Sequence, residues 1–297
     1  MRSYLPFLTW FLFLAAAGEE FLQPHWEGAL VVFAALALVP TGLQLLGLPQ
    51  GILYWSVAAG FGVSYLAFPN PFAPLLAIPY LLLATWLAVQ TFADLLITSK
   101  FDVQEWVRIG ALAYWTTGAV WAFCFLARIR PLGFDPVITG LTAAHFHVAG
   151  FVLSVIVYCL IFNQPAATNK ALGWAALGGM PFVAAGITLT KLGHSPAFET
   201  LAALAFVAFA FIIVWQQVRL VRDPAYSRHV RLFWLGGTLC LLAGSVLAAL
   251  YAVRFSWPIE WITIPNLKIW HGTLNAAGFG WLSLQGWQFL RSARPFS

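Results

Sequence analysis

Three stretches of the chain carry polar groups that could do chemistry. The first is Thr142-Ala143-Ala144-His145-Phe146-His147-Val148-Ala149-Gly150-Phe151, with two histidines inside one apolar run. Residues two apart on a regular helix point about 200° apart, so this pair cannot chelate one ion together. His145 and His147 would address different partners, and Thr142 shares a face with His145 at i,i+3. The second is His271-Gly272-Thr273-Leu274-Asn275-Ala276, which sets His271 and Asn275 on one side of a helix at i,i+4. The third is His194-Ser195-Pro196-Ala197-Phe198-Glu199. There His194 falls in a turn, and Glu199 begins the next helix, where the dipole favours a carboxylate. Histidine titrates near neutral pH and binds metals as a neutral imidazole, so proton coupling and metal ligation are both open to these groups. Each also has a plainer reading. A membrane histidine can simply bond a neighbouring helix, His194 and Glu199 can be interfacial, and Asn275 can be helix glue worth about 1 kcal/mol.

The elements that must hold these groups are set by composition. Of 297 residues, 61% are hydrophobic and 8% charged, against about a quarter charged in an average soluble domain. That apolar surface cannot be hidden in a water-soluble protein of this size. In lipid the backbone must pair internally, which leaves helices or a closed barrel. The apolar runs are continuous, without the alternation of barrel strands, so an all-α polytopic transmembrane bundle is expected. Nine runs reach the roughly 20 residues needed to span. They lie near 28–48, 51–68, 72–92, 106–127, 136–162, 171–190, 198–218, 231–251 and 268–290. The run at 4–17 is shorter and reads as a tenth helix or a signal-like segment. The expected organisation is a segment 1–27, ending in an outer loop, and a single transmembrane domain over 28–297.

Lysines and arginines test the orientation. With the C-terminus cytoplasmic, the inner segments hold Arg2, Lys100, Arg108, Lys170, Arg219, Arg222, Arg228, Arg231, Arg291 and Arg294. The outer segments hold Arg128, Arg130, Lys191, Arg254 and Lys268. This is the positive-inside pattern, and it places all three polar stretches toward the outer half of the membrane. The scattered basic charge gives no nucleic-acid surface. Cys124, Cys159 and Cys240 fall in separate apolar runs without a CxxC, so no disulfide framework or thiolate metal site is expected. Trp26, Trp55, Trp106, Trp257, Trp261 and Trp270 sit near span ends as interface anchors, whereas Trp115 and Trp121 lie deeper. Ala-Gly-Phe recurs at 59–61, 149–151 and 277–279, which reads as close helix packing at a small residue. No strong internal repeat is apparent, though an inverted repeat stays open.

Several stretches together resemble a known family. Leu38-Val39-Pro40, Phe68-Pro69-Asn70-Pro71-Phe72, Arg130-Pro131-Leu132-Gly133-Phe134, Gly179-Met180-Pro181 and the two histidine stretches look like the YndJ-like bacterial membrane proteins, over residues 28 to 290. The resemblance implies a multi-pass protein of the bacterial cytoplasmic membrane and no particular chemistry. Ala-His-Phe-His also echoes subunit I of haem-copper oxidases, but the rest of that ligand set is missing.

Three functions stay open at this point. One is binding or transport of a small solute, proton-linked through His145, His147 and Glu199, with His271, Asn275, His194, Thr142 and Trp115 lining the site. Deep prolines such as Pro79 and Pro181 suit a path through the bundle. Another is a membrane enzyme. It would use haem, copper or zinc on His145 or His147 with His271, and with His194 or Glu199 as a further ligand, or metal-free acid–base work by His, Glu and Asn on a lipophilic substrate. The third is a non-catalytic assembly partner. Beyond the lipid bilayer and a small molecule, no partner is indicated.

Overall fold

The computed structural model describes residues 5–293, and these form ten helical rods. They are α1 (Leu5–Leu22), α2 (Trp26–Leu45), α3 (Ile52–Ala67), α4 (Ala73–Thr98), α5 (Val103–Leu126), α6 (Pro136–Asn163), α7 (Ala167–Lys191), α8 (Ala197–Arg222), α9 (Arg228–Ala252) and α10, residues 264–293. Eight are long and apolar enough to cross a membrane; α3 is shorter but apolar. The nine expected spans each fall on one rod, and the run at 4–17 forms most of α1. That helix extends to Leu22 through a bend at Gly18, whose φ of 68° suits a residue without Cβ.

The rods are built inside-out. α4 buries Ala77, Tyr80, Ala84, Leu87, Thr91 and Leu95, a stripe at three- and four-residue spacing. Its other face exposes Leu82, Trp86, Val89 and Leu96. Large apolar side chains outside and small or polar ones inside match lipid as the solvent, where close backbone approach and polar pairing hold helices together. α2 differs in being buried nearly throughout.

The chain divides into two compact units, Met1–Val155 and Ile156–Ser297. In the first, the Trp10 indole donates to the Ala29 carbonyl at 2.9 Å, fastening α1 to α2. In the second, buried Gln217 joins α8 to α9 and α10. Its amide donates to Ser283 Oγ at 3.1 Å, and its carbonyl lies 2.9 Å from the Thr238 hydroxyl.

Three rods change pitch along their length. Ala34–Leu38 in α2, Phe146–Val152 in α6 and Leu274–Gly280 in α10 are π-helical. A π-turn inserts a residue into an α-helix and is often found at functional sites. The two seven-residue π-turns fall on the two sequences that drew attention first, with His147 second in one and Asn275 second in the other.

The register match extends to their surroundings and uncovers a repeated order of elements. Helices α3–α6 and α7–α10 follow the same order. Consecutive helices pack in each, and the π-turn sits in the fourth. The third helix of each is capped at its N-terminus, by Asp102 accepting from Glu105 N–H and by Ser227 accepting from Val230 N–H. The fourth begins with a proline in its first turn. Gly118 of α5 faces His147, and Gly244 of α9 faces Asn275. One turn earlier, Tyr114 of α5 packs on Gly150, and Cys240 of α9 packs on Gly278. Sequence alone hides this repeat, because lipid-facing residues interchange freely. Of the three Ala-Gly-Phe strings, the two at 149–151 and 277–279 mark it. The string at 59–61 lies in the regular helix α3.

Candidate functional site

His147 is fully buried. Its Nδ1 lies 2.8 Å from the Ala143 carbonyl and its Nε2 lies 3.2 Å from the Tyr80 hydroxyl of α4. A carbonyl only accepts, so Nδ1 carries the proton and the Tyr80 O–H donates to Nε2. The rings of Tyr80 and His147 are near-parallel, with centroids 6.0 Å apart. Tyr80 stacks in turn on Phe61 at 4.1 Å, and Trp115 meets it edge-on at 5.5 Å. Gly118 makes room for the imidazole. A Cβ there would stand 2.5 Å from Nδ1, too close for any side chain.

His145 leaves the same helix on another side, as the spacing requires. It is exposed on the surface of the chain and donates through Nδ1 to the Leu141 carbonyl at 2.7 Å. Thr142 donates its hydroxyl to the Ile138 carbonyl at 2.7 Å. Trp115 is fully buried beside Tyr80, Tyr54 and Phe151.

In the second unit, His271 donates through Nδ1 to the Gly244 carbonyl at 2.8 Å. The Asn275 amide donates to the His271 carbonyl at 2.8 Å. Gly244 therefore serves twice, once by its carbonyl and once by lacking a side chain where Asn275 sits. Ala143 and His271 are equivalent positions. Each carbonyl also accepts the backbone N–H three residues on, so the side chain at the second π-position adds a second donor in both repeats.

Glu199 and His194 part company. Glu199 is buried and its Oε1 lies 2.5 Å from Arg254 Nη2. The Arg254 guanidinium is itself sandwiched against Tyr251 at 3.9 Å and Phe255 at 4.1 Å. His194 stands exposed in the turn between α7 and α8. Among the described residues, no group of three His, Cys, Asp or Glu side chains is placed to hold a metal ion.

Sequence reasoning missed two contributors. Tyr80, the partner of His147, lies on another helix, and nothing in its local sequence singles it out. Glu27, read as an outer-loop charge, is fully buried in the first turn of α2 beside His25. Its neighbour Trp26 made this stretch look like a membrane interface.

The comparisons with known proteins agree with this architecture. The family model described as YndJ-like protein matches residues 29–279. A relative in Bacillus subtilis (strain 168), the Uncharacterized membrane protein YndJ, is 24% identical over 205 residues. That match covers 67% of this chain and 35% of the relative, so the chain spans about a third of that protein's length. No solved structure matches. A multi-pass helical membrane protein matched by that model over most of its length, the chain belongs to the YndJ-like family.

Proposed function

We propose that this protein binds a small solute within its helical bundle and moves it across the bacterial cytoplasmic membrane, with a proton as the coupling ion. The observation that carries the reading is the pair of π-turns in matched register, one in each four-helix repeat, each with a polar side chain on a backbone carbonyl. Transporters of many folds are built from repeats, with sites where helices depart from regular geometry and free their backbone for polar contacts. Ionisable groups inside spans are expensive and mark such paths. His147 is the proton-carrying group in this reading, and the Ala143 carbonyl holds its hydrogen on Nδ1. Glu199 acts as an anchor, since Arg254 already neutralises it. His145, Thr142, Trp115, His271, Asn275 and His194 belong to the surrounding polar shell. The balance of ten basic residues to five favours a cytoplasmic C-terminus.

The test is charge movement in proteoliposomes adsorbed on a sensor electrode, across a panel of amino acids, sugars, organic anions and amines. A solute that displaces charge with the wild type should give none with His147→Ala and a weakened response with Asn275→Ala. Unchanged responses in both variants would remove the basis of this reading.

A further inference from the structure

The first unit holds a second polar cluster, apart from the π-turns. His25 precedes α2, and its backbone carbonyl accepts the first N–H groups of that helix. Glu27, two residues on, lies entirely inside the unit. Its side chain rests on Gly140 of α6, where a Cβ would stand 2.9 Å from Glu27 Cγ, so glycine there is what admits the carboxylate. His25 Nδ1 is 3.5 Å from Glu27 Oε1, and about a quarter of the imidazole side chain is exposed. The ring is held by Phe21, Phe68 and Phe125, with centroids 5.4 to 5.5 Å away. Tyr65 of α3 is fully buried against Gly28 and close enough to feel the Glu27 charge. Its hydroxyl makes no hydrogen bond among the described residues, which leaves polar capacity at this spot.

The other charges nearby are engaged or turned to the surface. Arg128 lies over Phe68 at 5.7 Å and donates to the Pro69 carbonyl at 2.9 Å. Glu19 accepts from Gln23 on the exposed side of α1, and Asp135 is exposed at the start of α6. The packing partners Phe21, Phe125 and Gly140 bring no charge. A buried carboxylate in the first turn of a span thus has a partly exposed imidazole between it and the surface.

We propose that Glu27 is a proton-binding carboxyl of the membrane domain and that His25 relays its proton to and from the surface. In the uptake step, a proton from water bonds to Nε2 of neutral His25. The N–H bond at Nδ1 breaks as an O–H bond forms on Glu27 Oε1. One proton enters, the carboxylate becomes a neutral acid, and the imidazole ends neutral with its hydrogen on Nε2. Release runs the same bonds in reverse. A proton is the ligand that suits this packing, because it needs no cavity. The proposal does not rest on solute transport, since its readout is the protonation state of one carboxyl.

The test is pH-difference infrared spectroscopy on the full chain in lipid nanodiscs. The wild type should show a protonated-carboxyl C=O band that grows as pH falls and shifts down in D2O. Glu27→Gln should lose the share of that band due to one carboxyl. His25→Ala should keep it but slow its deuterium exchange, and an exchange rate equal to wild type would overturn the relay. A Glu27→Gln spectrum that matches wild type across the whole range would overturn the proposal. Should Glu27→Gln fail to fold, Glu27→Asp keeps a carboxyl in place. Its band must then differ in frequency or midpoint from wild type, and an identical band would overturn the proposal equally.

Discussion

His147 and Asn275 hold the same position in two π-turns, and each reaches back to the carbonyl four residues earlier at the same 2.8 Å. The likeness covers the glycine opposite each side chain and the residue one turn before that glycine. Chemistry differs between the two, imidazole against amide, while backbone geometry does not. The shared element is therefore the broken turn and its capped carbonyl, and the choice of side chain is where the repeats have diverged.

The Tyr80 hydroxyl donates to His147 Nε2, so Tyr80→Phe should leave that nitrogen without its donor. The expected loss is about 1 kcal/mol, the net worth of one buried hydrogen bond. Thermal unfolding in detergent would read it as a lowered midpoint with unchanged helicity. His147→Phe with Tyr80→Phe should recover part of the loss, because both polar partners are then gone.

Glycines facing the two π-turns should tolerate nothing larger. Gly118→Ala and Gly244→Ala each push a methyl into His147 or Asn275, and overpacking of this kind costs about 1–3 kcal/mol. Gly178→Ala, with open space around its Cβ position, is the matched control and should be neutral or slightly stabilising. Unfolding midpoints of the three variants, measured side by side, check the order.

Glu199 and Arg254 should behave as a coupled pair. A double-mutant cycle with Glu199→Gln and Arg254→Gln is expected to return a coupling of about 1 kcal/mol, reduced for partial exposure and by added salt. A coupling near zero at low salt would mean that Arg254 is held by Tyr251 and Phe255 alone.

The two histidines of α6 should differ sharply in accessibility. In a background with Cys124, Cys159 and Cys240 replaced by alanine, His145→Cys should accept a nitroxide label and show a mobile spectrum relaxed by oxygen. His147→Cys should label poorly, because its side chain is fully buried.

Much of the fold was legible from periodicity and composition. Each of the nine expected runs falls on one helix, seven of them on helices of spanning length and apolarity, and the short run at 4–17 belongs to an eighth. The separate faces of His145 and His147 followed from helical angle alone. Orientation and lateral neighbours are another matter. Tyr80 looks like any interfacial tyrosine until α4 is set beside α6. Glu27 reads as a surface charge because a carboxylate next to Trp26 at a span end usually is one; its packing on Gly140, far along the chain, places it inside. The repeat escaped notice because its signature is a backbone feature, and the residues that enforce it are two glycines on a neighbouring helix.

The added residue in each π-turn also acts as a phase shift. In a regular helix, every residue beyond position 147 would sit about 100° away from where it now points. Thr139, Gly140 and Ala143 are buried ahead of the turn, His147 and Phe151 within it, and nearly every residue from Leu153 to Ile161 after it. Deleting one residue, such as Ala149, would restore the common pitch and turn the second half of α6 out of step with the first. A single deletion there would therefore reset every contact that α6 makes beyond the turn.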